Sequence, residues 1–174
     1  MVYRKGERLG RFTRYTEFVL GIILDDDTPE HMIDIIKYML GARIIISNSF
    51  ATGHPLFKTG RWDKMFRSYS DTFPIKPHCI YNYNADKKHY TLSVRCAFKN
   101  YDSEIELFLN WIAPYVRNEG FVGTMRCEEY EDPYLLYYDS YRDGGGQFYF
   151  RTVNGNYRIY LDDDWLKNYA HVVE

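Results

Sequence analysis

Cysteine is scarce: Cys79, Cys96 and Cys127 are the three in 174 residues. An odd number, at separations of 17 and 31 positions, matches neither a paired disulfide framework nor the close pairs of a zinc site. Reduced thiols buried as small hydrophobes are expected instead, with no metal and no cofactor. Long apolar runs are missing too. Phe18 to Leu24 and Ile44 to Ile46 fall far short of the roughly 20 residues a membrane helix needs, so no membrane partner is expected. The opening Met1-Val-Tyr-Arg-Lys-Gly-Glu-Arg8 is charged where a secretory leader would be apolar, and a cytoplasmic location is the expectation that follows. Charge of one sign is also absent: 22 basic residues face 24 acidic ones, for a net charge of −2. Nothing global therefore draws this chain to nucleic acid phosphates, and any such contact must come from a local patch.

What the chain does have is apolar and aromatic area. Its hydrophobic content is 45%, and 18 of its residues are tyrosine. At this length that is enough for one core, so residues 1–174 are expected to form a single domain. Tyrosines favour positions with one dry and one wet end, so some should reach the surface.

The apolar periodicity divides the chain into elements. Met32, Ile35, Ile36, Met39 and Leu40 recur at helical spacing after Thr28, a candidate cap, and Pro29, and before Gly41. Tyr15 to Leu24 precedes this helix as a strand and Arg43 to Ser47 follows it as a second one, which predicts a β-α-β unit. A second helix begins at Ser103, with Glu106 as capping-box partner, a cap worth about 1 kcal/mol. Its stripe is Ile105, Phe108, Leu109, Ile112 and Val116, and Pro114 should kink or end it.

Strands dominate the remainder. In the strand from His89 to Phe98, Tyr90, Leu92, Val94, Cys96 and Phe98 alternate with Thr91, Ser93 and Arg95, which gives it one dry side. Phe121 to Glu128 and Tyr134 to Tyr138 flank an acidic turn and predict an antiparallel pair. Gln147 to Val153 and Tyr157 to Leu161 join through Asn154-Gly155-Asn156, a hairpin signal. The expected fold is α+β: a mainly antiparallel sheet with two principal helices on one face, a ferredoxin-like core and added C-terminal β-hairpins. Residues 48–76 fit no periodicity and form a segment long for a plain loop.

Several patterns bear on chemistry. His89-Tyr90-Thr91 has the H-x-T form of two-histidine phosphoesterases, which need two copies for base and acid. No second copy exists, because Ile33, Leu56, Ile80 and Val173 follow the other histidines. A phosphoesterase-like enzyme around His89 is therefore a minor alternative. Asp25-Asp26-Asp27, Glu128 to Asp132 and Asp162-Asp163-Asp164 lie at strand ends, where acidic residues serve turns and helix starts. Gly144-Gly145-Gly146 lacks the lysine and helix of a phosphate loop and reads as a hairpin tip. The basic group Arg4, Lys5, Arg8, Arg11 and Arg14 reads as a solvated arm.

The densest local chemistry lies between Phe57 and Tyr69. Lys58, Arg61, Lys64 and Arg67 interleave with Phe57, Trp62, Phe66 and Tyr69, and the candidate ligand- or partner-binding residues are Lys58, Arg61, Trp62, Arg67 and Tyr69. Guanidinium groups beside aromatic rings suit a nucleotide or single-stranded nucleic acid. The competing reading is a helical turn with Trp62, Phe66 and Tyr69 packed inward and the cations solvated. In that case the binding surface is to be sought among tyrosines, first Tyr130, Tyr137, Tyr138 and Tyr141.

The run from Tyr101 through Glu104-Ile105-Glu106, Phe108-Leu109, Trp111-Ile112 and Pro114-Tyr115, continued by Gly120-Phe121, Gly123, Arg126, Glu128-Glu129 and Pro133 to Tyr138, resembles small proteins of unassigned function from bacteriophages and mobile elements. The resemblance implies an accessory role in a phage or its bacterial host. No catalytic triad, metal cluster or dinucleotide fingerprint assembles from the sequence, whereas the tyrosine, tryptophan and arginine of interface hot spots abound. The preferred expectation is a non-enzymatic binding protein that engages a host or phage protein, including a defence component. Nucleotide or single-stranded nucleic-acid binding is the alternative, and homo-oligomerisation stays open.

Overall fold

The computed structural model describes residues 15–46, 53–70, 73, 76–99, 103–155, 158–162 and 164–167. In chain order its main elements are β1 (Tyr15–Asp25), α1 (Glu30–Met39), β2 (His78–Asn84), β3 (His89–Lys99), α2 (Glu104–Ile112), β4 (Gly120–Cys127), β5 (Tyr134–Ser140), β6 (Gly146–Arg151) and β7 (Arg158–Tyr160). The strands form one sheet in the order β2-β3-β1-β4-β5-β6-β7, and every neighbouring pair is antiparallel. β1 to β4 with the two helices have the ferredoxin-like connectivity, and β5 to β7 extend it as a meander. The α+β expectation is thus met. Among the described residues, no helix is long and apolar enough to cross a membrane.

Period-2 burial decides which way each strand faces. Phe18, Leu20, Ile22 and Leu24 of β1 point into the core, joined by Leu92, Val94 and Cys96 of β3, Leu136 and Tyr138 of β5, and Phe148 and Phe150 of β6. Both helices contribute to this same core, α1 through Met32, Ile33, Ile35, Ile36 and Met39, and α2 through Ile105, Leu107, Phe108, Leu109 and Ile112. In β3, Tyr90 is only half-buried, and the side chain of Phe98 lies outside the described ones. None of the three cysteines is in a disulfide; Cys96 and Cys127 are buried and Cys79 is half-buried.

The described part of the segment between α1 and β2 carries short helices and no strand. Two short 3-10 helices, Pro55–Lys58 and Trp62–Arg67, lie against the helices. Phe66 packs edge-on to Phe108 at 4.9 Å and Phe57 to Trp111 at 5.5 Å, while Trp62 reaches Tyr38 of α1 at 5.9 Å. These contacts explain why α2 is buried nearly all round. Its inner side meets the sheet and its outer side meets this aromatic cover, so a one-stripe pattern understates its burial.

Four local expectations are corrected. Residues 43–46 form no strand: a tight bond from Ile44 N–H to the Ala42 carbonyl turns the chain at once, Ile45 is 98% exposed, and the second strand of the ferredoxin-like unit is β2. Ser47 lies outside the described residues. Thr28 does not cap α1, because its hydroxyl donates to the Asp25 carbonyl at 2.6 Å and Pro29 occupies the cap position. Ser103 does not cap α2 with its side chain either; it sits at φ 64°, and the buried Glu106 carboxylate accepts from its own backbone N–H. Tyr138, proposed as an exposed tyrosine, is fully buried and donates to the Ala113 carbonyl at 2.8 Å. Gly41, at φ 97°, and the 3-10 turn through Pro114 do end the two helices as read.

Candidate functional site

The residues singled out between Lys58 and Tyr69 divide between the cover over the helices and its outer surface. Arg61 reaches across to Glu104 of α2 at 3.3 Å and also donates to the Lys99 carbonyl. Glu104 is buried, so this guanidinium offsets a carboxylate removed from water. Trp62 is partly buried, edge-on to Phe57 at 5.1 Å. Arg67 is exposed and donates to the Asp63 carbonyl at 2.9 Å. Lys58 is exposed and Tyr69 is 61% exposed. Arg61 and Trp62 are therefore held together by the fold, while Lys58, Arg67 and Tyr69 stand at its surface. His89 is buried at the start of β3, opposite Asp25 and Asn84. Among the described residues, no three or more His, Cys, Asp or Glu side chains gather as metal ligands do.

A different surface emerges from the sheet register. Among the described residues the helices cover one face, and the opposite face of β4 to β7 carries a row of directly opposed aromatic residues: Phe121 faces Tyr137, Tyr137 faces Tyr149, and Tyr149 faces Tyr160. Ring centroids along the row are 5.7, 5.4 and 5.1 Å apart. Such cross-strand pairs stabilise a sheet as well as shaping its surface. The row is most exposed at its ends, with Phe121 at 57% and Tyr160 at 37%, while Tyr149 between them is 6% exposed. Burial among these neighbours pushes the Tyr149 phenol up from its ordinary value.

A β-bulge completes the row. The β4–β5 register shifts between Phe121 and Gly123, so Val122 is the extra residue. Strict alternation would send Val122 to the open face and Phe121 inward. The bulge reverses this, burying Val122 and setting Phe121 opposite Tyr137, a re-aiming that bulges commonly perform. Gly123 is required there, since a Cβ on it would lie 2.0 Å from the Val19 carbonyl oxygen of β1.

Beside the aromatic row runs a second tier, Leu135, Arg151 and Arg158, one diagonal step away. Arg151 lies over the Tyr137 ring at 5.9 Å and Arg158 over Tyr149 at 5.3 Å, within the range of cation–π attraction. Farther along the same face, Glu17 accepts from Arg95 at 3.1 and 2.7 Å and from Arg126 at 3.3 Å. Arg126 in turn covers Phe73 at 4.9 Å. One carboxylate is thus shared between two guanidinium groups.

Of the surface-forming residues, sequence reasoning named Tyr137 alone. Phe121, Tyr149, Tyr160, Arg151 and Arg158 are separated by up to 39 positions (160 − 121), and only the strand register and the bulge bring them together. The alternation of Tyr149 with Phe148 and Phe150 was the available signal, because it puts a tyrosine on the side away from the core. Compared with protein-family models, curated proteins and solved structures, the chain matches none of them.

Proposed function

We propose that this is a non-enzymatic binding protein and that its docking surface is the helix-free face of β4 to β7, centred on Phe121, Tyr137, Tyr149 and Tyr160. The observation that carries the reading is the opposed aromatic row with arginines laid over it, which has the composition of an interface hot spot. A protein partner suits it better than a nucleic acid. Base stacking needs an open ring face, whereas Tyr137 and Tyr149 lie at 13° to each other at 5.4 Å and Arg151 and Arg158 lie over them. The surface instead offers apolar ends, phenol groups, two guanidinium groups and, on the same face of β5, the exposed Asp139 opposite Gln147, which fits a partner whose contact area is apolar and carries charges of both signs. The resemblance to small phage and mobile-element proteins supports an accessory role in which that partner is a host protein, including a defence component.

The test is capture of partners from bacterial host lysate by the immobilised protein, identified by mass spectrometry, beside a Phe121→Ser/Tyr160→Ser double variant. The double variant should lose the partner while its thermal midpoint falls by only a few degrees, since the two cross-strand pairs it removes contribute about 0.2–1 kcal/mol each. Equal capture by the variant refutes this assignment. Tight binding of an oligothymidylate that weakens steeply with salt moves the surface to the single-strand class.

A further inference from the structure

The two edges of the sheet are built differently. β7 is three residues long and carries Arg158, both of which discourage pairing with another chain. β2 is seven residues, His78-Cys-Ile-Tyr-Asn-Tyr-Asn84. It has no lysine, arginine, carboxylate or proline, and its register with β3 runs from His78↔Arg95 to Asn84↔His89 without a bulge. The flanking charges lie outside it, Lys76 with Pro77 just before and Asp86, Lys87 and Lys88 in the turn beyond, and full antiparallel overlap of two copies would set Lys76 opposite Asp86. Among the described residues, nothing pairs with its outer edge. Ile80 is 48% exposed beside that edge, and the Tyr81 hydroxyl at the centre of the strand is buried without a hydrogen-bond partner among the described residues.

We propose that β2 pairs with β2 of a second copy of this chain, antiparallel, about a two-fold axis normal to the sheet. Such an axis keeps the core faces of both copies on the same side. Opposed residues must then share a face, so their numbers differ by an even amount. Full overlap of the strand places Tyr81 on the axis, opposite its own symmetry mate, with Ile80 opposite Asn82, Cys79 opposite Tyr83 and His78 opposite Asn84. Every opposed pair is uncharged or carries a single histidine, so no like-charge pair opposes the contact at neutral pH. An unprotected edge that repels its own copy nowhere is suited to self-pairing. The pairing joins two seven-stranded sheets and leaves the aromatic row of β4 to β7 free at the far side of each, so it stands independently of the docking surface proposed above.

The experiment uses the full chain with paired charge substitutions at the exposed positions 80 and 82. Sedimentation velocity across a concentration series should show the unsubstituted protein as a reversible dimer. Ile80→Lys/Asn82→Lys puts an ammonium opposite an ammonium twice per dimer and should raise the dissociation constant about tenfold or more. Ile80→Glu/Asn82→Glu should do the same with carboxylates. Mixing the two variants should restore association as a heterodimer, seen by native mass spectrometry, and this arm shows that the variants are folded. A monomeric unsubstituted protein at high micromolar concentration overturns the proposal. So does a dimer that the substitutions leave intact, or a mixture of the two variants that does not associate.

Discussion

Glu106 provides a sharp thermodynamic test of the packing described for α2. Its side chain is buried, one carboxylate oxygen has no hydrogen-bond partner among the described residues, and burial pushes its acid up to about 8 from an ordinary 4.5. The folded state therefore prefers the neutral acid. A folded-state value above the unfolded one means that the group is harmless below pH 4.5 and increasingly destabilising as pH rises towards 8, with the loss complete above it. At about 1.4 kcal/mol per pH unit, the interval from 4.5 to 8 corresponds to a total of about 5 kcal/mol, of which about 3 kcal/mol falls between pH 5 and pH 8. Glu106→Gln keeps the shape and cannot ionise. Urea melts of both proteins at pH 5, 6, 7 and 8 should show the difference in unfolding free energy moving by about 3 kcal/mol in favour of glutamine across that range. Any constant cost of burying the amide shifts the whole series without changing this slope. Parallel stability curves would refute the account of a buried carboxyl with one oxygen left unpartnered among the described residues.

The remaining substitutions separate structural from surface roles. Arg61→Ala should destabilise more than Arg67→Ala, because it removes the guanidinium beside buried Glu104, while Arg67→Ala should stay within about 0.5 kcal/mol; equal effects in chemical denaturation would mean that the Arg61–Glu104 contact carries nothing. Leu109→Ala, at a fully buried position of α2, should cost between about 2 and 5 kcal/mol by the same assay. Gly123→Ala should destabilise by about 3 kcal/mol, because its methyl group would meet the backbone of β1 and not a movable side chain; an unaltered thermal midpoint would contradict the close β1–β4 approach.

Much of the fold could be read from periodicity, because most elements bury a single face. The stripe of Ile35, Ile36 and Met39, the alternation through Leu92, Val94 and Cys96, and the turn at Asn154-Gly155 each have one economical structural solution, and together they imply the ferredoxin-like core with added hairpins. The failures have physical causes. Ile44 to Ile46 are apolar enough for a strand, yet the chain turns at Ala42 and leaves Ile45 in solvent. β2 gives little signal because an edge strand alternates weakly between half-buried and exposed residues. Ser103 and Glu106 have capping-box spacing, but Glu106 is buried and its carboxylate bonds to its own backbone N–H. The candidate surface was the least legible feature: Phe121 faces Tyr137 only through an extra residue in β4, and no local pattern announces a bulge of that kind. The Phe57 to Tyr69 segment drew attention for its arginines and aromatics, and the same residues serve as packing against Phe108, Trp111 and Glu104.

The central claim, that partners dock on the open face of β4 to β7, is tested most directly by hydroxyl-radical footprinting of the protein alone and bound to a captured partner. Phe121 and Tyr160 are exposed on that face, and Tyr69 is exposed on the segment over the helices. The account predicts that binding protects Phe121 and Tyr160 from oxidation severalfold while Tyr69 reacts as before. Protection of Tyr69 with Phe121 and Tyr160 unchanged would contradict it and return the site to the segment between Lys58 and Tyr69.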